Sequence, residues 1–113
     1  MNIPQNYKDL RKELELISEK TRYKILLTLF ASEKPLSFSQ LKSFLPSIQD
    51  NSLHYHLSIL KENNLIRNIK KNDYKRSEDR SFYKLNQKSL KLLDQLGLSK
   101  AKKEFQVLFE KLK

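Results

Sequence analysis

The 113-residue sequence contains no cysteine, no tryptophan, one glycine and three prolines. Without cysteine there can be no disulfide framework, thiolate zinc site, cysteine nucleophile or thiol redox sensor, and a reducing compartment is expected. A lone glycine, Gly97, excludes the glycine-rich phosphate loops, which need several positions where the backbone approaches a phosphate without a Cβ. No apolar run approaches the roughly 18 residues of a membrane span. The opening Met-Asn-Ile-Pro-Gln-Asn-Tyr-Lys-Asp also lacks the basic and then apolar layout of a signal peptide. These absences predict a soluble cytoplasmic protein with no membrane partner.

What the chain has in excess is positive charge, 23 Lys and Arg against 13 Asp and Glu, a formal net charge of +10. Hydrophobic residues at 38% and charged residues at 32% lie in the globular range, and the length suits one core, so a single domain over 1–113 is expected. The charge is uneven. Residues 1–20 are neutral, 21–60 carry +2, 61–88 carry +5 and 89–113 carry +3. The maximum falls where helical patterning gives way to an extended one.

Tyr7, Leu10, Leu14 and Ile17 recur at helical steps and predict a first amphipathic helix. Ser18 offers a cap for a second, whose dense apolar run Tyr23, Ile25, Leu26, Leu27, Leu29 and Phe30 implies burial on most sides. Pro35 breaks it, and Ser37-Phe38-Ser39-Gln40 has capping-box spacing ahead of a short helix through Leu41, Phe44 and Leu45 that Pro46 ends. A fourth helix starts near Asp50, carries Leu53, Leu57 and Leu60, and finishes at Asn63-Asn64, residues that tolerate a left-handed C-cap. Two such helices joined by a short turn are a helix-turn-helix candidate. Leu65 to Lys70 and Arg80 to Leu85 read as strands separated by a long polar loop, Lys71 to Asp79. From Lys88 onward Leu90, Leu93 and Leu96, then Ala101, Phe105, Leu108 and Leu112, return to helical spacing, as two helices or one kinked at Gly97.

On a wheel of the fourth helix, Leu53, Leu57 and Leu60 fall within about 60° of one another at 100° per residue. Asn51, Tyr55, Ser58 and Glu62 then point outward, with His54 on the flank and Gln49 and Ser52 beside the N-terminus. Such side chains can donate to and accept from base edges in a major groove, where Asn pairs well with adenine. Lys70, Lys71, Lys75, Arg76 and Arg80 lie on or beside the hairpin loop and could meet phosphates or a minor groove, although Asp73, Glu78 and Asp79 dilute them. Ser39, Gln40 and Lys42 open the first helix of the motif, a weaker phosphate candidate. A solvated polar face is the competing reading of each.

The order of four helices, a basic hairpin and a further helix resembles a winged helix-turn-helix domain, mainly α with a small β-hairpin. Thr21-Arg22-Tyr23-Lys24-Ile25-Leu26 resembles the Thr-Arg-x-x-Ile-Leu helix start of the ArsR-like superfamily of prokaryotic repressors. The run from His56-Leu57 to Asn64-Leu65-Ile66 resembles that family's His-Leu-x-x-Leu-x-x-x-Gly-Leu-Val stretch, with Asn64 where the family prefers Gly. The likeness covers about 17–86, leaving 1–16 and 88–113 as helical extensions. It implies a homodimer paired through the outer helices, and the apolar stripes agree. Tyr7, Leu10, Leu14, Phe105, Leu108, Phe109 and Leu112 are the candidate interface.

His54 and His56 are two apart and project about 200° from each other on a helix, so they cannot chelate one ion together. With no Cys and no His on the outer helices, neither a metal site nor a thiophilic metal signal is expected. No cofactor is implied, and no Ser-His-acid arrangement or isolated carboxylate pair suggests an enzyme. The expected function is a sequence-specific double-stranded DNA-binding regulator, a homodimeric repressor reading inverted half-sites. The competing classes are a winged-helix protein-interaction module of a transcription assembly and a non-specific basic DNA-binding protein.

Overall fold

The computed structural model describes residues 5–73 and 78–97 together with Gln106, Val107 and Glu110. Helix α1 (Gln5–Ser18) leads into α2 (Lys20–Ala31), strand β1 (Leu36–Ser37), α3 (Phe38–Phe44), α4 (Asp50–Glu62), β2 (Ile66–Asp73), β3 (Glu78–Leu85) and α5 (Gln87–Gln95). The strands form one antiparallel sheet in the order β1-β3-β2. This is the mainly helical class with a small β element that the patterning predicts, with the sheet one strand larger.

Local chemistry explains most boundaries. α3 begins with a complete capping box: the Ser37 hydroxyl accepts from the Gln40 amide and the Gln40 side chain accepts from the Ser37 amide. α4 ends where Asn64 takes φ 60°, a left-handed conformation that Asn adopts at low cost. Gly97 adopts φ 75° just beyond α5.

Four expectations are corrected. Glu19, rather than Ser18, caps α2, its carboxylate accepting from the Arg22 amide at 2.9 Å, while the Ser18 hydroxyl turns back to the Glu15 carbonyl. The long loop over 71–79 is mostly ladder, since pairing runs to Asp73 opposite Glu78 and only 74–77 remain between the strands. Backbone pairing needs no apolar side chain, so polarity alone does not end a strand. In α5 the buried face is Ser89, Leu92 and Leu93, whereas Leu90 and Leu96 are exposed, because adjacent Leu92 and Leu93 shift the apolar stripe. Tyr23, grouped with the buried run of α2, is also exposed.

The core centres on α2, where every residue from Ile25 to Ala31 is buried. Leu53, Leu57 and Leu60 of α4, Leu41 of α3, Leu65 and Ile66 at the start of the hairpin, Leu85, and Leu92 and Leu93 of α5 pack around it. The Ser89 hydroxyl donates to the Leu65 carbonyl at 2.5 Å and ties α5 to the base of the hairpin. Interdigitation of this kind fixes α4 against α2 and thereby decides which α4 residues face solvent.

Candidate nucleic-acid interface

α3, the turn at 45–49 and α4 form the helix-turn-helix. The turn is locked from inside: Ile48 is buried, the Lys42 ammonium donates to the Ile48 carbonyl, and it lies 3.4 Å from the Asp50 carboxylate. Lys42 is thus committed to the turn, and Gln40 to its capping box, so of the three candidates on α3 only Ser39 keeps an exposed side chain without such a role. The Ser39 hydroxyl lies 3.2 Å from that of Ser37.

With its leucines buried, α4 exposes Asn51, Tyr55 and Ser58 in one row, with Gln49 at its N-cap and Ser52 half-buried at the edge. Tyr55 is 62% exposed, more than Tyr23, Leu90 and Leu96, large apolar side chains that also reach solvent on the described helices. His54 is exposed but stacks flat on Phe38, with ring centroids 4.0 Å apart and planes 9° off parallel, so α3 fixes its orientation. Nothing in the linear spacing announces that stack, which joins residues from the two helices of the motif.

His56 points the other way. Its Nδ1 is 3.1 Å from an Arg22 guanidinium nitrogen and 3.6 Å from the Glu19 carboxylate, and Arg22 also donates to the Leu16 carbonyl at 2.5 Å. This cluster joins the end of α1, the start of α2 and the middle of α4, and Tyr55 meets the His56 ring edge-on at 5.1 Å. Partial burial of the Glu19 carboxyl pushes its pKa up, but the amides of Arg22 and Thr21 and the charges of His56 and Arg22 outweigh that effect and hold it below the usual value. A folded-state pKa below the unfolded one means stability that is present above the carboxylate range and lost as pH falls through it. Glu19→Gln is therefore expected to lower the melting temperature at neutral pH, with the gap to wild type closing as pH drops below about 4. A gap independent of pH would remove the carboxylate charge from the cap's role.

On the wing, Lys70 is exposed, and Lys71 and Arg80 are directly opposed in the β2–β3 register. Lys75 and Arg76 lie outside the described residues. Arg67 and Lys84, which the charge count includes but no motif singles out, are likewise opposed and exposed near the base of the hairpin. Their alternation with Ile66 and Leu85 is the signal that sets them outward.

Leu14, Ile17, Tyr23 and Leu96 line an apolar groove of about 310 Å³ between α1, α2 and the end of α5. Of the candidate interface residues, Leu14 packs partly against this chain's own core. Tyr7 and Leu10 lie on α1, and Phe105, Leu108, Phe109 and Leu112 are outside the described residues. Among the described residues, no group of three or more His, Asp or Glu is placed to hold a metal ion, and no helix is long and apolar enough to cross a membrane.

No protein with a curated description is similar enough in sequence to match. Residues 17–69 match the family described as a helix-turn-helix domain. Among solved structures, the chain is similar to a protein with a GntR superfamily winged-helix-turn-helix domain from Halomicrobium mukohataei, at TM-score 0.83 and 18% identity, over 97% of this chain and 79% of that one. It is also similar to the reduced form of the transcriptional regulator YodB from B. subtilis, at TM-score 0.65 and 18% identity, over 95% and 90% of the two chains. A putative MarR family transcriptional regulator from Porphyromonas gingivalis W83 gives TM-score 0.65 and 20% identity, over 86% and 90%. The chain has the winged-helix fold, and its segment 17–69 contains a helix-turn-helix.

Proposed function

We propose that the chain is a sequence-specific double-stranded DNA-binding transcriptional regulator that places α4 in the major groove and the hairpin against the adjacent backbone. The observation that carries this reading is the row Asn51, Tyr55 and Ser58, polar and exposed on a helix whose opposite face is welded to the core by three leucines. A rigid helix presenting amide, phenol and hydroxyl groups suits base edges, whereas a protein-docking surface would present a broad apolar patch there. Regulators among the similar folds support the same reading. His54, held by Phe38, supplies a further polar edge, and Gln49 at the N-cap and half-buried Ser52 extend the polar surface at the start of α4.

The finer reading is an ArsR-like homodimeric repressor. Exposed Tyr23 and Leu96 around the α1–α2–α5 groove support pairing of two copies through the outer helices. Twofold symmetry would then set the two α4 helices about one DNA turn, roughly 34 Å, apart on inverted half-sites that overlap a promoter.

Titration of labelled duplex, first selected from a random pool, against excess random competitor over a salt series tests the reading. Selective binding to a palindromic site is the expected result. Equal competition by random DNA would leave only a non-specific basic protein, and absence of binding would leave the protein-interaction module. Changing Lys70, Lys71 and Arg80 to Gln should flatten the slope of log affinity against log salt by about 0.9 for each phosphate that is no longer neutralised. An unchanged slope would take the wing off the backbone.

A further inference from the structure

A second basic feature lies away from the reading face. At the base of the hairpin, where β2, β3 and α5 meet, a cavity of about 400 Å³ is lined by Arg67, Lys84, Lys88, Asn64, Gln87 and Leu90 among others. Lys88 is neutralised by Glu13 at 2.8 Å. Arg67 and Lys84 are not neutralised: they sit directly opposite each other in the ladder, both exposed, and neither has an ion-pair partner among the described residues. Like charges directly opposed across a strand pair destabilise a sheet, so nothing in the hairpin itself accounts for this pair.

We propose that this cavity binds a small organic phosphate, a phosphomonoester whose dianionic group sits between Arg67 and Lys84. Two unpaired cations match a charge of nearly −2, and the Arg fork engages two phosphate oxygens at once, which a monocarboxylate would use less fully. The amides of Asn64 and Gln87 offer donors and acceptors to the organic part, and Leu90 a patch of apolar wall. The volume is in the range of small-molecule sites. The Asn86 side chain braces the wall by donating to the Asn64 carbonyl at 2.8 Å, which leaves α5 without a side-chain cap at this end. The phosphate is that of a free ligand and not of a bound duplex. Asn64 follows the C-terminal end of α4, about 14–20 Å along the axis from Tyr55 and Asn51. The Arg67–Lys84 pair is about 20 Å down the ladder from Asp73–Glu78.

Amide NMR of the full chain, titrated with adenosine monophosphate at constant ionic strength, tests this without any DNA, so its failure is separate from failure of the DNA reading. Saturable shifts confined to 64–67 and 84–90 are expected, absent with adenosine and weaker below about pH 6, where the phosphate loses its second charge. Arg67→Gln with Lys84→Gln should weaken binding at least about tenfold, and Arg67→Lys, which keeps the charge but loses the fork, less than that. Both positions are exposed, and a melting temperature no lower than that of wild type, as relief of the like-charge pair requires, will show that the fold is intact. No saturation up to about 10 mM, or shifts that survive the double change, would overturn the proposal. So would a flattened salt slope for duplex binding in the double variant, which would assign the pair to the DNA backbone instead.

Discussion

Replacing Asn51 and Tyr55 together by Ala is expected to abolish discrimination between a selected duplex and random DNA while leaving the melting curve within a degree or two of wild type. Each good base contact is worth about 1–3 kcal/mol, so removing two amounts to about 2–6 kcal/mol, a drop of roughly 30-fold or more on the selected site. Binding to random duplex should hardly change, because that affinity comes from phosphate contacts that neither side chain supplies. Both residues are exposed on α4 and Ala is the best helix former, so the fold has no reason to weaken. Competition titrations of the double variant against both duplexes give the result directly. An equal loss on every sequence would mean that α4 contributes affinity but does not read bases.

The second large effect is on stability. Leu53 is fully buried and carries the first turn of α4 against the core, so Leu53→Ala should cost about 2–5 kcal/mol in urea unfolding. A domain of this size has about 5–15 kcal/mol in all, which makes the variant marginal at 37 °C. Addition of a bound duplex should recover part of the loss by mass action, since the ligand binds only the folded state. A cost below about 1 kcal/mol would show that α4 relaxes onto the core without this leucine and is less rigidly held than its burial implies.

These two expectations rest on features of different legibility. The leucine spacing of α4, the capping box at Ser37 and Gln40, and the left-handed Asn64 are each written within one helical turn, and backbone geometry forces them to appear wherever the helix does. The outward row Asn51, Tyr55 and Ser58 follows from the same periodicity, so the candidate reading face could be drawn before any fold was known. The commitment of Lys42 to the turn and of His54 to Phe38 could not, because each joins residues separated by six to sixteen positions whose distance only the packed motif sets.

The scarcity of glycine illustrates the division. Where many chains would place glycine after a helix, this one has asparagine, and the sequence by itself determined that the pair Asn63-Asn64 would end α4, whereas the fold gives the left-handed conformation to Asn64. It also determined that the charge excess would concentrate at 61–88. Where that charge points was decided by tertiary structure. Strand β1 is two residues long and has no signal of its own; it exists because β3 offers it a free edge. The ladder then runs through the polar stretch, brings Lys71 opposite Arg80 and Arg67 opposite Lys84, and separates the cations near the tip from the pair at the base. Periodicity is a property of neighbours along the chain and can be read from them, whereas register joins residues far apart in sequence and is fixed only when the strands meet the core.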